Sequence, residues 1–244
     1  MIGPRAFAAS SVLVILTLVI GTLVVVDPGR NVHENPALSS VSGAPAADRQ
    51  VGPAPVSSDD QNTADPAPGD YKKIFRRDLF MGDSVTQGLV FFDFLDDSTV
   101  LAKLGLNLVT ARDELGKVGL AQPDKIFILF GENDLNYYPD NHQLIDSYAG
   151  FIRAVKERSP RSDIYVQSVL PIAAKAEAGN PNLNNARIDE VDIALSGMAR
   201  DEGAHYLDLT AILKNRDDLY QPDGKHFEEQ FYKLWLDYLV KNVK

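Results

Sequence analysis

Lys125-Ile126-Phe127-Ile128-Leu129-Phe130-Gly131-Glu132-Asn133-Asp134 is the stretch that decides the fold. Its apolar run shows no alternation, which predicts a strand buried on both faces. Strands of that kind belong to parallel sheets covered by helices on each side. The run stops at glycine, and a polar tripeptide follows. In such sheets ligands sit at the carboxyl ends of the strands, so Glu132-Asn133-Asp134 falls where chemistry is expected.

Working outward, Asp78-Leu79-Phe80-Met81 reads as a short strand ending at Gly82. Val100-Leu101-Ala102-Lys103 is a weaker one. Asp163 to Leu170 and His205 to Leu209 supply a fourth and a fifth. Between them lie segments with helical spacing. Leu144, Ile145, Tyr148, Phe151, Ile152 and Val155 mark one, with Asn141 as its expected cap and Pro160 as its stop. Leu183, Ala186, Val191, Ala194, Leu195 and Met198 mark another, with Gly203 past its end. Phe227, Phe231, Leu234, Trp235 and Tyr238 mark the last. This alternation predicts an α/β domain over residues 71–244 with a mostly parallel five-stranded sheet. There is no internal repeat.

Two further motifs share the placement of the first. Gly82-Asp83-Ser84 follows the first strand, and Asp223-Gly224-Lys225-His226 follows the fifth at the entry to the last helix. Together the three supply a hydroxyl, an amide, a carboxylate and an imidazole, the parts needed for acyl transfer through a serine. A serine hydroxyl is a weak nucleophile without a base, and an ordinary imidazole titrates near neutrality. Asp223 is three residues before His226, so one turn or tight loop brings its carboxylate to the second ring nitrogen. Each residue also has a plain reading. His226 suits a surface near a helix start, Pro222-Asp223-Gly224 is good turn chemistry, and Asn133 suits a turn. The three motifs carry weight only as a set.

With these motifs, residues 78–244 resemble the SGNH hydrolase superfamily, also called the GDSL esterase/lipase family. Phe80 to Gly88 is similar to its first block and Gly105 to the glycine of its second. Gly131-Glu132-Asn133-Asp134 is similar to its third and Asp223 to His226 to its last. The resemblance implies a flavodoxin-like three-layer α/β/α sandwich and a metal-independent serine hydrolase needing no cofactor. It implies Ser84 as nucleophile, His226 as base and Asp223 as its orienting carboxylate. It also implies an oxyanion hole made by the backbone N–H groups of Ser84 and Gly105 and the side-chain amide of Asn133. Asp83 and Asp134 are expected to support the site by bonding loop backbones. The Gly-x-Ser-x-Gly elbow of α/β-hydrolases is absent, because Thr86 stands where its last glycine belongs.

Specificity is less legible. Phe91, Phe92 and Phe94 are candidates for an acyl pocket, though core packing is the favoured reading. Tyr137 and Tyr138 are candidates for a rim. The loop Gly179-Asn180-Pro181-Asn182-Leu183-Asn184-Asn185 is amide-rich, as sugar-binding rims are. His33, His142 and His205 are read as incidental, and no His/Asp/Glu cluster has a metal-ligand spacing.

The chain has 244 residues, a formal net charge of −10 and no cysteine. A diffuse acidic balance argues against a nucleic-acid partner, which needs a basic face. The missing cysteines exclude disulfides and a thiol nucleophile. Ala6 to Val26 is an uncharged apolar run, long enough as a helix to cross a bilayer at roughly 31 Å. Arg5 before it favours the N-terminus inside. Residues 1–26 are therefore expected to be a signal-anchor helix, with a cleaved signal peptide as the alternative. Residues 27–70 hold seven of the 14 prolines and no aromatic residue, and are expected to be a disordered linker. The sum is a membrane-tethered, extracytoplasmic esterase acting on an ester-bearing small molecule or an acylated glycan or lipid, small acyl groups foremost. The alternatives are an O-acetyltransferase with the same triad, a lysophospholipase or thioesterase, and a non-catalytic glycan-binding module.

Overall fold

Strand residues of the computed structural model feed two apolar cores, one on each side of a single sheet. The structure describes residues 69–178 and 180–243. The strands are β1 (Leu79–Gly82), β2 (Val100–Ala102), β3 (Lys125–Leu129), β4 (Asp163–Gln167) and β5 (His205–Leu207). The helices are α1 (Tyr71–Ile74), α2 (Ser84–Phe91), α3 (Leu115–Ala121), α4 (Glu132–Tyr137), α5 (Asn141–Arg158), α6 (Ala174–Glu177), α7 (Asn185–Asp201), α8 (Thr210–Leu213) and α9 (Glu229–Asn242). The sheet order is β2-β1-β3-β4-β5, and every adjacent pair is parallel.

Successive strand side chains point to opposite faces. Leu79, Met81, Ile126, Ile128, Ile164 and Val166 join the core under α3, α5 and α7. Phe80, Phe127, Leu129 and Tyr165 join the other, under α2 and α9. That is the physical content of an apolar run without alternation. On the second side Phe80 stacks on Phe127 at 4.7 Å, and Phe127 on Tyr165 at 5.2 Å. Trp235 of α9 is fully buried there, and its indole N–H donates to Gln167 Oε1 at 2.7 Å. Each such fully buried side chain contributes roughly 1.5–3 kcal/mol.

The strand order positions the site. The chain leaves β1 toward β2 at one edge, then returns past β1 to form β3 on its other side. At such a switch point the loops after two neighbouring strands run in opposite directions and open a crevice. Ser84 follows β1, and Asn133 follows β3.

Element ends differ from the sequence reading. The fourth strand stops at Gln167 rather than Leu170, because its neighbour β5 has only three residues. The Ser168 N–H makes the last backbone bond, to the Leu207 carbonyl at 2.9 Å; after it, Ser168 Oγ accepts the Leu209 amide and Asp192 Oδ1 accepts the Val169 amide. Asp140, not Asn141, caps α5, accepting from His142 N at 2.8 Å. Leu183 lies outside α7, before the Asn184 cap. There it is fully buried with Ile188 in one core, as in a hydrophobic staple. Phe227 likewise precedes α9 and pairs with Tyr220 in an isolated bridge. Helix α3 escaped the periodicity reading because it has seven residues, two of them Gly116 and Gly119.

The predicted anchor, residues 1–26, lies outside the described residues, as does all but the end of the predicted linker, residues 27–70. Among the described residues no helix is long and apolar enough to cross a membrane.

Candidate active site

Asp83 sets up the turn after β1. Its Oδ1 accepts the Val85 amide at 3.0 Å, which caps α2, and its carbonyl accepts the Gln87 amide at 2.9 Å. Ser84 is thereby the first residue of α2 and half-buried. The amides of a first helical turn have no intrahelical acceptor and carry partial positive charge. The cap bond goes to Val85, and the Ser84 N–H stays outside it.

His226 is presented by a tight loop rather than a helical turn. The loop is closed by Gln221 N to His226 O at 2.8 Å and by Gly224 N to Gln221 O at 2.9 Å. It is docked on the stretch before α6 by Ala173 N to Gly224 O at 2.8 Å. Asp223 Oδ1 accepts the Lys225 and His226 amides, each at 3.0 Å. Asp223 Oδ2 lies 2.5 Å from His226 Nδ1, and His226 Nε2 lies 2.9 Å from Ser84 Oγ. Burial pushes the Asp223 carboxyl up, but the hydrogen bonds from the His226 ring and the two amides pull it down further, to about 2. It is an anion at any ordinary pH. The imidazole therefore keeps its Nδ1 proton toward Asp223 and offers the Nε2 lone pair to the serine. Lys225 pairs with Glu132 at 3.6 Å and ties this loop to α4.

Asn133 is placed by its neighbour. Gly131 caps α4 at φ +151°, and a Cβ there would meet Val169 Cγ2 at 2.4 Å, so only glycine fits. Asn133 Nδ2 donates to Asp83 Oδ2 at 3.1 Å and to the Leu106 carbonyl at 3.2 Å. Asp134 Oδ1 accepts the Leu108 amide at 2.8 Å. The start of α4 is thus bonded both to the β1 turn and to the loop after β2. Gly105 lies in that loop, exposed, one residue before Leu106. Its φ of +75° calls for glycine, while the space beside it is open.

The structure therefore brings Ser84, Asp223 and His226 into one chain of hydrogen bonds and joins Asn133, Asp83 and Asp134 around it. Gly105 is attached only through Leu106. Both hydrogens of the Asn133 amide already have protein acceptors. Any anion it stabilises has to share one of them.

Ser84 and His226 open into a cleft of about 470 Å³. Its walls come from the α2 face (Gln87, Phe91), from Asp97 before β2, and from Gln221 and Tyr232. Phe91 is a candidate named from the sequence and Gln87 lies within the first block, whereas Asp97, Gln221 and Tyr232 lie outside the motifs. Gln221, two residues before Asp223, was the one with a signal. Phe91 departs from the core-packing expectation: it is 80% exposed and meets Phe92, also a lining residue, edge to face at 4.9 Å. Phe94 is half-buried and packs against the core beside Tyr71 and Tyr232. The Tyr138 hydroxyl is taken by Ser147 at 2.8 Å, and Tyr137 is exposed. In the 180–185 loop Asn184 caps α7, Asn185 bonds the Ile172 backbone and Asn180 donates to Asn136, while Asn182 is exposed. None of them lines the cleft. His205 stacks on Tyr165 at 4.7 Å, away from the cleft, and His33 lies outside the described residues. Among the described residues no group of three His, Asp or Glu is placed to hold a metal.

Burial raises four carboxyls, Asp78, Asp83, Asp134 and Asp192. Burial pushes Asp83 to about 7 against the Val85 amide bond, with the Glu132 and Asp134 charges adding to the rise. Burial also pushes Asp134 to about 6 and Asp192 to about 7. A carboxyl held above its unfolded value stabilises the fold below about pH 4. That contribution is lost as pH rises through the folded value. Asp223 acts in the opposite sense, and its contribution is lost as pH falls from about 4 toward 2. The urea midpoint should therefore fall between pH 4.5 and 7.5. Asp192→Asn, which stays neutral and keeps an acceptor for Val169, should remove roughly 1–3 kcal/mol of that fall. A midpoint that rises over the same range contradicts the assignment.

The sequence profile of the GDSL-like lipase/acylhydrolase family matches residues 80–234. Among solved structures, the lipase/acylhydrolase from Enterococcus faecalis is similar at 18% identity and a TM-score of 0.55, covering 68% of this chain and 95% of that one. A GDSL-like lipase from Bacteroides thetaiotaomicron is similar at 16% identity and a TM-score of 0.53, covering 73% and 90%. The acetyl xylan esterase AlAXEase is similar at 16% identity and a TM-score of 0.51, covering 68% and 98%. At these identities the likeness shows a shared fold. No curated protein matches the chain. The matched segment runs from β1 into α9 and takes in three of the motifs described above, so the chain belongs to the GDSL-like lipase/acylhydrolase family.

Proposed function

We propose that the protein is a serine esterase that removes small acyl groups, with acetyl on cell-surface glycans as the leading target, from a membrane-tethered extracytoplasmic position. The observation that carries the chemistry is the path Asp223 Oδ2 to His226 to Ser84 Oγ, at 2.5 and 2.9 Å. In this reading His226 Nε2 takes the Ser84 proton as Oγ bonds the ester carbon. The carbonyl oxygen becomes an anion facing the start of α2, where the Ser84 N–H, the Gly105 N–H and the Asn133 amide receive it. The carbon–oxygen bond to the alcohol then breaks, and His226 returns the proton to the leaving oxygen. Water, activated by the same imidazole, releases the acid and restores Ser84. Asp83 and Asp134 hold the loops. The tether rests on the apolar run of residues 6–26 and the proline-rich segment after it.

The test is a fluorophosphonate probe and a series of 4-nitrophenyl esters from acetate to dodecanoate, with the full-length protein in detergent. Labelling and a rate falling with chain length are expected. A folded protein that takes no label points to a binding module instead. A rate that climbs to long chains points to a lipid substrate.

A further inference from the structure

The cleft beside Ser84 is several times larger than an acetyl group, so most of it faces some other part of the substrate. Apart from His226 its lining holds a single ionisable charge at neutral pH, Asp97, and no lysine or arginine. Asp97 is exposed, and its carboxylate has no hydrogen-bond or ion-pair partner among the described residues. Its neighbours differ. Asp93 and Asp96 both pair with Lys72, at 2.5 and 3.2 Å, which leaves Asp97 as the uncompensated acid of that corner. Across the same cleft stand Phe91 and Phe92. An unpaired carboxylate and aromatic faces in one cavity favour a cation, the first by Coulomb attraction and the second through the ring quadrupole. The same wall disfavours phosphate, sulfate or carboxylate on the substrate, since no donor cation is there to receive it.

We propose that the cleft selects esters whose non-reacting portion carries an ammonium group, with Asp97 as the specificity-determining residue. This rests on the esterase reading and names the substrate class within it. Two sources offer that chemistry, a quaternary alkylammonium alcohol and an amino sugar with a free amine. Matched pairs separate them. One pair is acetylcholine and its neutral isostere 3,3-dimethylbutyl acetate. The other is 6-O-acetylglucosamine and 6-O-acetyl-N-acetylglucosamine.

The readout is the ratio of kcat/KM for the charged over the neutral member, measured on the full-length protein. A solvent-accessible charge pair of this kind is worth roughly 3–10-fold. The ratio should therefore be about 3–10 in wild type for at least one pair, and the pair with the larger ratio names the source. It should fall toward one in Asp97→Asn and shrink in 0.5 M salt. Asp93→Asn, an acid of the same corner that does not line the cleft, should leave it unchanged. A wild-type ratio near one for both pairs, or a ratio that survives Asp97→Asn, overturns the proposal while leaving the esterase reading intact. Hydrolysis of none of the four esters overturns the proposal, and the esterase reading falls with it only when the fluorophosphonate probe also fails to label the folded protein.

Discussion

Replacing Ser84 with alanine should lower kcat on any ester substrate by roughly 10⁴–10⁶-fold with the fold unchanged. The hydroxyl is the one atom that bonds the substrate carbon in the proposed mechanism. It sits at the start of α2, half-buried, and touches His226. Removing it costs one hydrogen bond near the surface, so the urea midpoint should barely move. His226→Ala should cost nearly as much, and the double variant little more than either alone, because the two act as one unit. Asp223→Asn should cost less than Ser84→Ala, and the deficit should come from the imidazole's tautomer and orientation. Multiplicative losses in the double variant would mean that Ser84 and His226 act separately, against the bond at 2.9 Å.

Asn133→Ala should lower kcat by roughly 10²–10³-fold and change KM less, the signature of a contact made in the transition state. The structure adds a second consequence. The Asn133 amide also donates to Asp83 Oδ2, so its removal leaves a buried carboxyl without that donor. Asp83 already titrates near 7 and should rise further. The stability of Asn133→Ala should therefore fall more steeply than wild type between pH 5 and 8. An unchanged kcat would remove Asn133 from the oxyanion site and leave it as a strut between α4 and the β1 turn.

The sheet was legible because burial on two faces writes itself into sequence. Ile126 to Phe130 is apolar at every position since odd and even side chains enter different cores. The long helices α5, α7 and α9 were legible from their period. Their ends were not, because a cap is a choice between adjacent polar residues such as Asp140 and Asn141, decided by backbone angles. Strand four was read three residues too long for a related reason. Ser168, Val169 and Leu170 are as strand-like as their predecessors, but after the Ser168 N–H to Leu207 carbonyl bond the pattern changes: Ser168 Oγ accepts the Leu209 amide, and Asp192 of α7 accepts the Val169 amide.

The candidate site divides in the same way. Ser84, Asn133, Asp223 and His226 stood out because each lies in a short motif at a strand end. Asp97, Gln221 and Tyr232 did not, since each is an ordinary residue of its own element and acquires a role only from what faces it. The sequence alone determined the chemical inventory and the parallel α/β frame, because composition, run length and period are local properties of the chain. Only the tertiary structure decided that the hydroxyl and the imidazole, 142 residues apart, stand 2.9 Å from each other. It also decided that the Asn133 amide is already shared with Asp83 and that an unpaired carboxylate walls the cleft. Those are contacts between distant segments, set by strand order and loop docking, and no local pattern encodes them.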